Sequence, residues 1–310
     1  MYEPVYLKTF KARKLDDKVK QAREMLTPCR VCPRACGVNR FEGETGFCGL
    51  GEKAVVSSAS PHFGEESPLV GSGGSGTVFF TSCNLKCVFC QNYEISHLME
   101  GRETDCPTLG RLMLRLQDLG CHNINFVTPS HVVPQILEAV GWAVQRGLSV
   151  PLVYNTGGYD SIETLELLDG VIDIYMPDIK FMDSRISKEL MDAEDYTQVV
   201  TSGILEMHRQ VGDLEIDSQG IAKKGLLVRH LVMPDDSAGT SLAMRFLAQE
   251  VSKNTYVNVM NQYRPCGLAR EHACTDRIIT HEEYSRAVET AMEEGITRLD
   301  ERIGFRLRFF

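Results

Sequence analysis

Apolar and polar positions along this chain follow two rhythms. Short β-branched or aromatic runs fall at 77–81 (TVFFT), 123–127 (NINFV), 150–154 (VPLVY), 171–175 (VIDIY), 226–231 (LLVRHL) and 255–260 (TYVNVM), and each predicts a strand. Helical spacing fills the intervals. Segment 108–119 sets Leu109, Leu112, Met113, Leu116 and Leu119 on one face, and 134–146, 161–168, 195–211, 239–252 and 281–294 repeat the pattern. Six strands alternating with helices predict right-handed βαβ units and a parallel sheet, either open and doubly wound or curled toward a partial barrel. A further small strand is expected at 54–58 (AVVSS), followed by a flexible glycine stretch, GSGGSG, at 71–76.

In either form of the sheet, ligands bind at the C-terminal ends of the strands. Chemistry-bearing residues collect at those positions. A cysteine cluster follows the first strand, Thr128-Pro129-Ser130 the second and Asn155-Thr156-Gly157-Gly158 the third. Asp178 and Lys180 follow the fourth, the fifth holds Arg229 and His230, and the sixth leads to Asn261, Gln262 and Tyr263. Convergence from six segments on one rim predicts a site there.

Composition narrows the class. The chain has 310 residues and a net charge of −9, which argues against nucleic acid as a partner. The N-terminal stretch MYEPVYLKTFKARK lacks the apolar core of a signal peptide, and no apolar run is long enough to span a bilayer. A cytoplasmic location without membrane partners is therefore expected. There are 11 cysteines, seven of them in two tight clusters. In a chain without an export signal, clustered thiols point to metal or redox work rather than to disulfides.

The second cluster, Cys83-Asn84-Leu85-Lys86-Cys87-Val88-Phe89-Cys90, has the form C-x3-C-x2-C. At this cysteine frequency the pattern arises by chance about 0.01 times per chain. Zinc would need a fourth nearby ligand, and the one close histidine, His97, lies beyond the usual spacing. Three thiolates on a [4Fe–4S] cluster leave one iron open. Buried thiols without metal are the alternative reading of the same three residues.

This stretch resembles the signature of the radical S-adenosylmethionine (SAM) superfamily, including the aromatic residue, Phe89, before the last cysteine. The wider segment GSGTVFFTSCNLKCVFCQN is closest to activating enzymes of the pyruvate formate-lyase type, and within them to a less characterised related subgroup. The resemblance covers roughly residues 54–300. It implies a partial (β/α)6 barrel of parallel strands, a [4Fe–4S] cluster on Cys83, Cys87 and Cys90, and SAM as co-substrate. It also implies a flavodoxin or ferredoxin as reductant, and a glycyl-radical protein or peptide as substrate. Two other functions stay open: a radical SAM enzyme acting on a small molecule or peptide, and an iron–sulfur electron carrier that never cleaves SAM.

Further residues acquire roles through the same resemblance. Relatives carry a Gly-Gly-Glu-like segment for the SAM amino group; here Val127-Thr128-Pro129-Ser130-His131 has no carboxylate, leaving carbonyls, hydroxyls or a neighbouring strand. Thr128 and Ser130 are the candidates, Ser130 doubling as a possible helix N-cap. Asn155 and Gly157 resemble the polar residue and glycine after the third strand, with a plain turn as the alternative. Asp178 and Lys180 resemble the Asp-x-Lys segment, and Arg229, His230 and Pro234 the Arg-x-x-x-x-Pro stretch; catalytic roles are expected for Asp178, Lys180, Arg229 and His230. A local ion pair and a packed histidine are the alternatives. Phe89 and Gln262 complete the cofactor-binding set. His62, Glu65 and Glu66, in PHFGEESPLVG, read as a solvated loop, with a lid or substrate role as the other reading. Cys266 and Cys274 are expected in a loop without a catalytic role.

Cys29, Cys32, Cys36 and Cys48 form a second set, C-x2-C-x3-C-x11-C. Four thiols in so short a span suit structural zinc or a second iron–sulfur cluster. The expected organisation is a Cys-rich accessory segment at 1–53 and a barrel domain at 54–310.

Overall fold

The computed structural model describes residues 2–300; the last ten residues of the expected barrel domain lie outside them. Among the described residues nine strands form: β1 Ala54–His62, β2 Ser75–Phe80, β3 Arg102–Thr104, β4 Ile124–Val127, β5 Leu152–Thr156, β6 Ile174–Ile179, β7 Glu215–Ile216, β8 Ala222–Leu231 and β9 Tyr256–Met260. Six of them, β2-β4-β5-β6-β8-β9, run parallel in that order and correspond to the six expected strands. β1 joins β2 antiparallel, β3 lies outside β1, and β7 pairs antiparallel with the start of β8. With helices on the outer face of the six parallel strands and β9 unpaired to β2, the architecture is a partial (β/α)6 barrel.

Helix starts follow local chemistry. Asp105 caps Cys106–Asp118 by accepting the Thr108 N–H at 2.8 Å, and Pro107 sits in the first turn where its missing N–H costs nothing. Thr280 and Glu283 close a reciprocal capping box on His281–Glu293. On the Cys106–Asp118 helix Leu109, Met113 and Leu116 are buried as expected, but Leu119 is 55% exposed. It occupies the C-cap, where the helical stripe has already ended. The helix Ser184–Met191 has no counterpart among the expected segments, being short and mostly polar.

The GSGGSG stretch is tightly placed rather than loose. Its last two residues begin β2, and a Cβ on Gly73 would lie 2.0 Å from the Gly120 carbonyl oxygen, so glycine is required for close approach. The turn Ser67–Val70 before it carries Leu69 into a small apolar cluster with Val153, Ile174, Met176, Leu227 and Tyr256. Two residues further along the same inward faces stand Asn155, Asp178, Arg229 and Asn258. Period-two alternation in a barrel therefore gives an apolar floor beneath a polar layer.

The N-terminal residues share the main core. Tyr6 is fully buried and donates its hydroxyl to the Val150 carbonyl at 2.9 Å, and Tyr2 bonds Asp173 at 2.6 Å. Leu15, Ala22, Met25 and Leu26 belong to the same apolar cluster as the barrel helices. Among the described residues, no helix is long and apolar enough to cross a membrane.

Candidate functional site

The barrel encloses a cavity of about 660 Å3 lined from all six parallel strands and from the loops after all of them but β8. Cys83, Cys87 and Cys90 line it from the loop after β2, together with Phe89. Ser82 and Lys86 take left-handed φ values of 70° and 47°, which fold this short loop back over the barrel mouth. The Cys83 sulfur accepts the Leu85 N–H at 3.3 Å, and the Cys90 sulfur accepts the Ser96 hydroxyl at 3.2 Å. Burial pushes the Cys83 and Cys87 thiols up. Phe89 wedges edge-on between Phe181 and Tyr263, at 5.7 and 6.2 Å, which fixes the loop.

Within electrostatic reach of the thiols lies a buried polar chain. Asp178 accepts Lys180 Nζ on one oxygen at 2.6 Å and Arg229 Nε on the other at 2.7 Å; Arg229 Nη2 reaches the Asn155 side-chain oxygen at 2.7 Å. Burial works to raise the Asp178 carboxyl, but Arg229 and Lys180 outweigh it and hold it below the usual carboxylate range. The same pairing keeps both cations protonated despite burial. Tyr196 braces the group: its hydroxyl serves the Gly157 and Asp178 carbonyls at 2.9 Å and accepts the Lys180 N–H at 3.0 Å.

The expected residues divide clearly. Phe89, Thr128, Asn155, Gly157, Asp178, Lys180, Arg229 and Gln262 line the cavity with the three cysteines. Ser130 and His230 do not. Ser130 is 2% exposed and bonds the Thr156 hydroxyl at 2.9 Å; it caps nothing, since the next helix begins at Val133 with Val132 as N-cap. His230 is fully buried, with Nδ1 against the Ile179 carbonyl at 2.9 Å and Nε2 against Thr240 at 3.0 Å, so it packs outside the cavity. It follows Arg229 on a strand, and successive side chains face opposite ways. Gly157 is needed for packing as much as for a turn: a Cβ there would lie 2.9 Å from Leu85.

Glu65 and Glu66 depart from the solvated-loop expectation. They are 8% and 4% exposed and both line the cavity, because the turn that plugs the barrel floor draws them inside. Glu66 Oε1 accepts the Asn258 amide at 3.0 Å, and Oε2 has no hydrogen-bond partner. Burial raises the Glu66 carboxyl, with Arg229 opposing and Glu65 reinforcing the rise. Asn258 and Tyr196 also escaped the sequence reading. Neither position carries a local pattern that separates it from its strand or helix.

The four N-terminal cysteines, Cys29, Cys32, Cys36 and Cys48, line one small void with Arg40, Asn84 and His131. Two buried polar atoms on that lining, Arg40 Nη2 and His131 Nδ1, have no partner. Burial pushes the Cys32 thiol up to about 12. The two cysteine loops are joined: Ser82 donates to the Cys48 carbonyl, and Arg34 to the Asn84 carbonyl at 2.9 Å. Cys266 and Cys274 are half-buried and stand outside the cavity lining.

Among the described residues no three His, Cys, Asp or Glu side chains are placed to share one metal ion. A four-iron cubane spreads its thiolates over separate corners, so it does not need them at single-ion spacing. Three thiols facing one cavity, two of them already accepting hydrogen bonds, fit a cluster ligated three times by protein.

Over 293 residues, covering 92% of this chain and 80% of the relative, the sequence is 32% identical to the uncharacterized protein MJ0674 of Methanocaldococcus jannaschii. The chain belongs to the MJ0674 family. No family model matches it. The MJ0674-family fold is similar to that of HydG, a maturase of the [FeFe]-hydrogenase, with a TM-score of 0.50 at 11% identity over 73% of this chain. The chain spans half of the HydG chain, and the likeness is one of fold. A looser similarity, TM-score 0.40 at 10% identity, covers 71% of this chain and 31% of OxsB, a cobalamin-dependent S-adenosylmethionine radical enzyme.

Proposed function

We propose that this MJ0674-family protein is a radical SAM enzyme. The observation that carries the reading is one cavity with two faces: the C-x3-C-x2-C thiols at its mouth and the Asp178–Lys180–Arg229 chain on its wall. Cys83, Cys87 and Cys90 would hold a [4Fe–4S] cluster, which, when bound and reduced, supplies the electron that cleaves SAM to methionine and a 5′-deoxyadenosyl radical able to take a substrate hydrogen. The protein's own share is binding and exclusion of water. Lys180 spends one donor on Asp178 and keeps others for a carboxylate. Asp178 fixes the angle of both cations. Thr128, held at φ 61° with its N–H on the Asn155 carbonyl at 2.9 Å, offers a hydroxyl to the cavity.

A cavity of about 660 Å3 falls in the small-molecule range, and its closed floor favours a small substrate or the tip of a peptide. Activation of a glycyl-radical protein is the narrower alternative, with a flavodoxin or ferredoxin as electron donor. We assign Cys29, Cys32, Cys36 and Cys48 to a second iron–sulfur cluster rather than to zinc, since they are not gathered at single-ion spacing. The unpartnered Arg40 Nη2 on the same lining supports this, because a guanidinium N–H suits the negative charge of a tetrathiolate site.

The test is anaerobic reconstitution with iron and sulfide, reduction with dithionite, addition of SAM and chromatography for 5′-deoxyadenosine. Product should form with the native protein and vanish in the Cys83→Ala, Cys87→Ala, Cys90→Ala triple variant. A loaded, reducible cluster that yields none would favour an electron carrier.

A further inference from the structure

The cavity gathers more carboxyl groups than fixed cations. Three carboxylates line it, Glu65, Glu66 and Asp178, against two permanent cations, Lys180 and Arg229. Both oxygens of Asp178 are already engaged by those two cations. Glu65 meets the half-exposed His62 at 3.3 Å, and Arg229 acts electrostatically on both Glu65 and Glu66 without a hydrogen bond to either. Glu66 is 4% exposed, and Asn258 fixes its Oε1 while Oε2 remains without a partner. An unpartnered carboxylate oxygen at that depth is costly unless a donor completes it.

Its position separates it from the thiols. Glu66 precedes β2 and Cys83 follows it, so the carboxylate enters the barrel from the floor and the sulfurs from the mouth. Apolar side chains, Phe79, Val127, Leu231 and Met260, line the walls.

We infer that the substrate carries an alkylammonium group and that Glu66, oriented by Asn258, receives it at the barrel floor. The inference rests on the radical SAM reading only for the word substrate; the amine site itself follows from the cavity. An apolar chain would then stand between the ammonium at the floor and the reacting end near the thiols. Glu65 contributes a second carboxylate, and the Arg229 hydrogen bonds go to Asp178 and Asn155, which leaves the Glu66 oxygen for another donor. The ammonium belongs either to a free amine or to a lysine side chain presented by a peptide.

The test uses full-length protein reconstituted anaerobically with iron and sulfide, titrated calorimetrically at pH 8 with and without SAM. The probes are n-butylamine, n-butanol and butyrate, which share a chain and differ in charge; Nα-acetyl-lysine-methylamide separates the peptide source from the free amine. Butylammonium should bind at least about tenfold more tightly than butanol, as a charge-assisted bond to a buried carboxylate requires, with butyrate weakest. Glu66→Gln should erase that preference while SAM still binds and the melting temperature of the free protein holds or rises, since the unpartnered carboxylate is gone. The probe series needs no variant, so it decides the matter even if Glu66→Gln fails to fold. Equal binding of the three probes, no binding of any, or a preference that survives Glu66→Gln overturns the inference. So does a Glu66→Gln protein that loses SAM affinity but keeps the amine, because Glu66 would then serve the SAM amino group. Absence of 5′-deoxyadenosine beside an intact amine preference would instead remove the radical reading and leave the amine site standing.

Discussion

Replacing Asp178 by Asn tests the electrostatic frame of the site most directly. The Asp178 side chain is 11% exposed and those of Lys180 and Arg229 18%, so solvent does little to screen the triad. Removing one member of a buried pair costs about 3–5 kcal/mol, because the partner charge is left uncompensated. Here two cations lose one shared anion. The Asn oxygen still accepts from Arg229, but its amide faces the Lys180 ammonium, donor against donor. We expect a loss near the lower end, about 3 kcal/mol. With a urea slope of roughly 3 kcal/mol per M, the unfolding midpoint should fall by about 1 M. Adding Lys180→Met should recover more than about 1 kcal/mol, since it removes the stranded ammonium.

The pH dependence follows from the same charges. The Asp178 carboxyl is held below its unfolded value, so its contribution is complete above the unfolded value of about 4 and fades as pH falls through the folded one. The gap between native and variant should therefore be constant from pH 8 to about 5 and narrow only below about 4. Urea unfolding followed by circular dichroism at several pH values measures it. A variant as stable as the native protein at pH 7, or a gap that widens on acidification, refutes the reasoning.

Three other outcomes are expected. Tyr196→Phe removes the hydroxyl shared by the Gly157 and Asp178 carbonyls and the Lys180 N–H, and should cost about 1–3 kcal/mol in urea unfolding. Gly158→Ala should cost at least about 2 kcal/mol in the same assay, because φ is +81° and the new Cβ would lie 2.5 Å from the Asp178 carbonyl oxygen. In metal-free protein at pH 8, iodoacetamide followed by peptide mass spectrometry should modify exposed Cys36 at least about tenfold faster than buried Cys32, whose thiol is raised to about 12. Equal rates would show that the N-terminal loop opens freely.

The chain by itself determined the six parallel strands, the interleaved helices and the cysteine loop. Each is announced by local signals: β-branched runs, apolar spacing, and three thiols at fixed intervals. The same reading ended β5 and β6 too early, at Tyr154 and Tyr175, whereas they continue to Thr156 and Ile179. Polar residues there marked a loop to the pattern, yet Asn155 and Asp178 are strand residues turned into a cavity. A barrel interior accepts polar side chains that a packed sheet would reject. Only the tertiary structure decided the rest. Glu65 and Glu66 read as solvated because charges in a loop usually are. They are buried because Leu69, three residues beyond Glu66, plugs the barrel floor and carries the turn inward. His230 and Arg229 are neighbours in sequence and lie on opposite faces of β8, one in the outer packing and one in the cavity. Spacing along a chain fixes which residues share a face; which face meets the cavity depends on how the sheet curls.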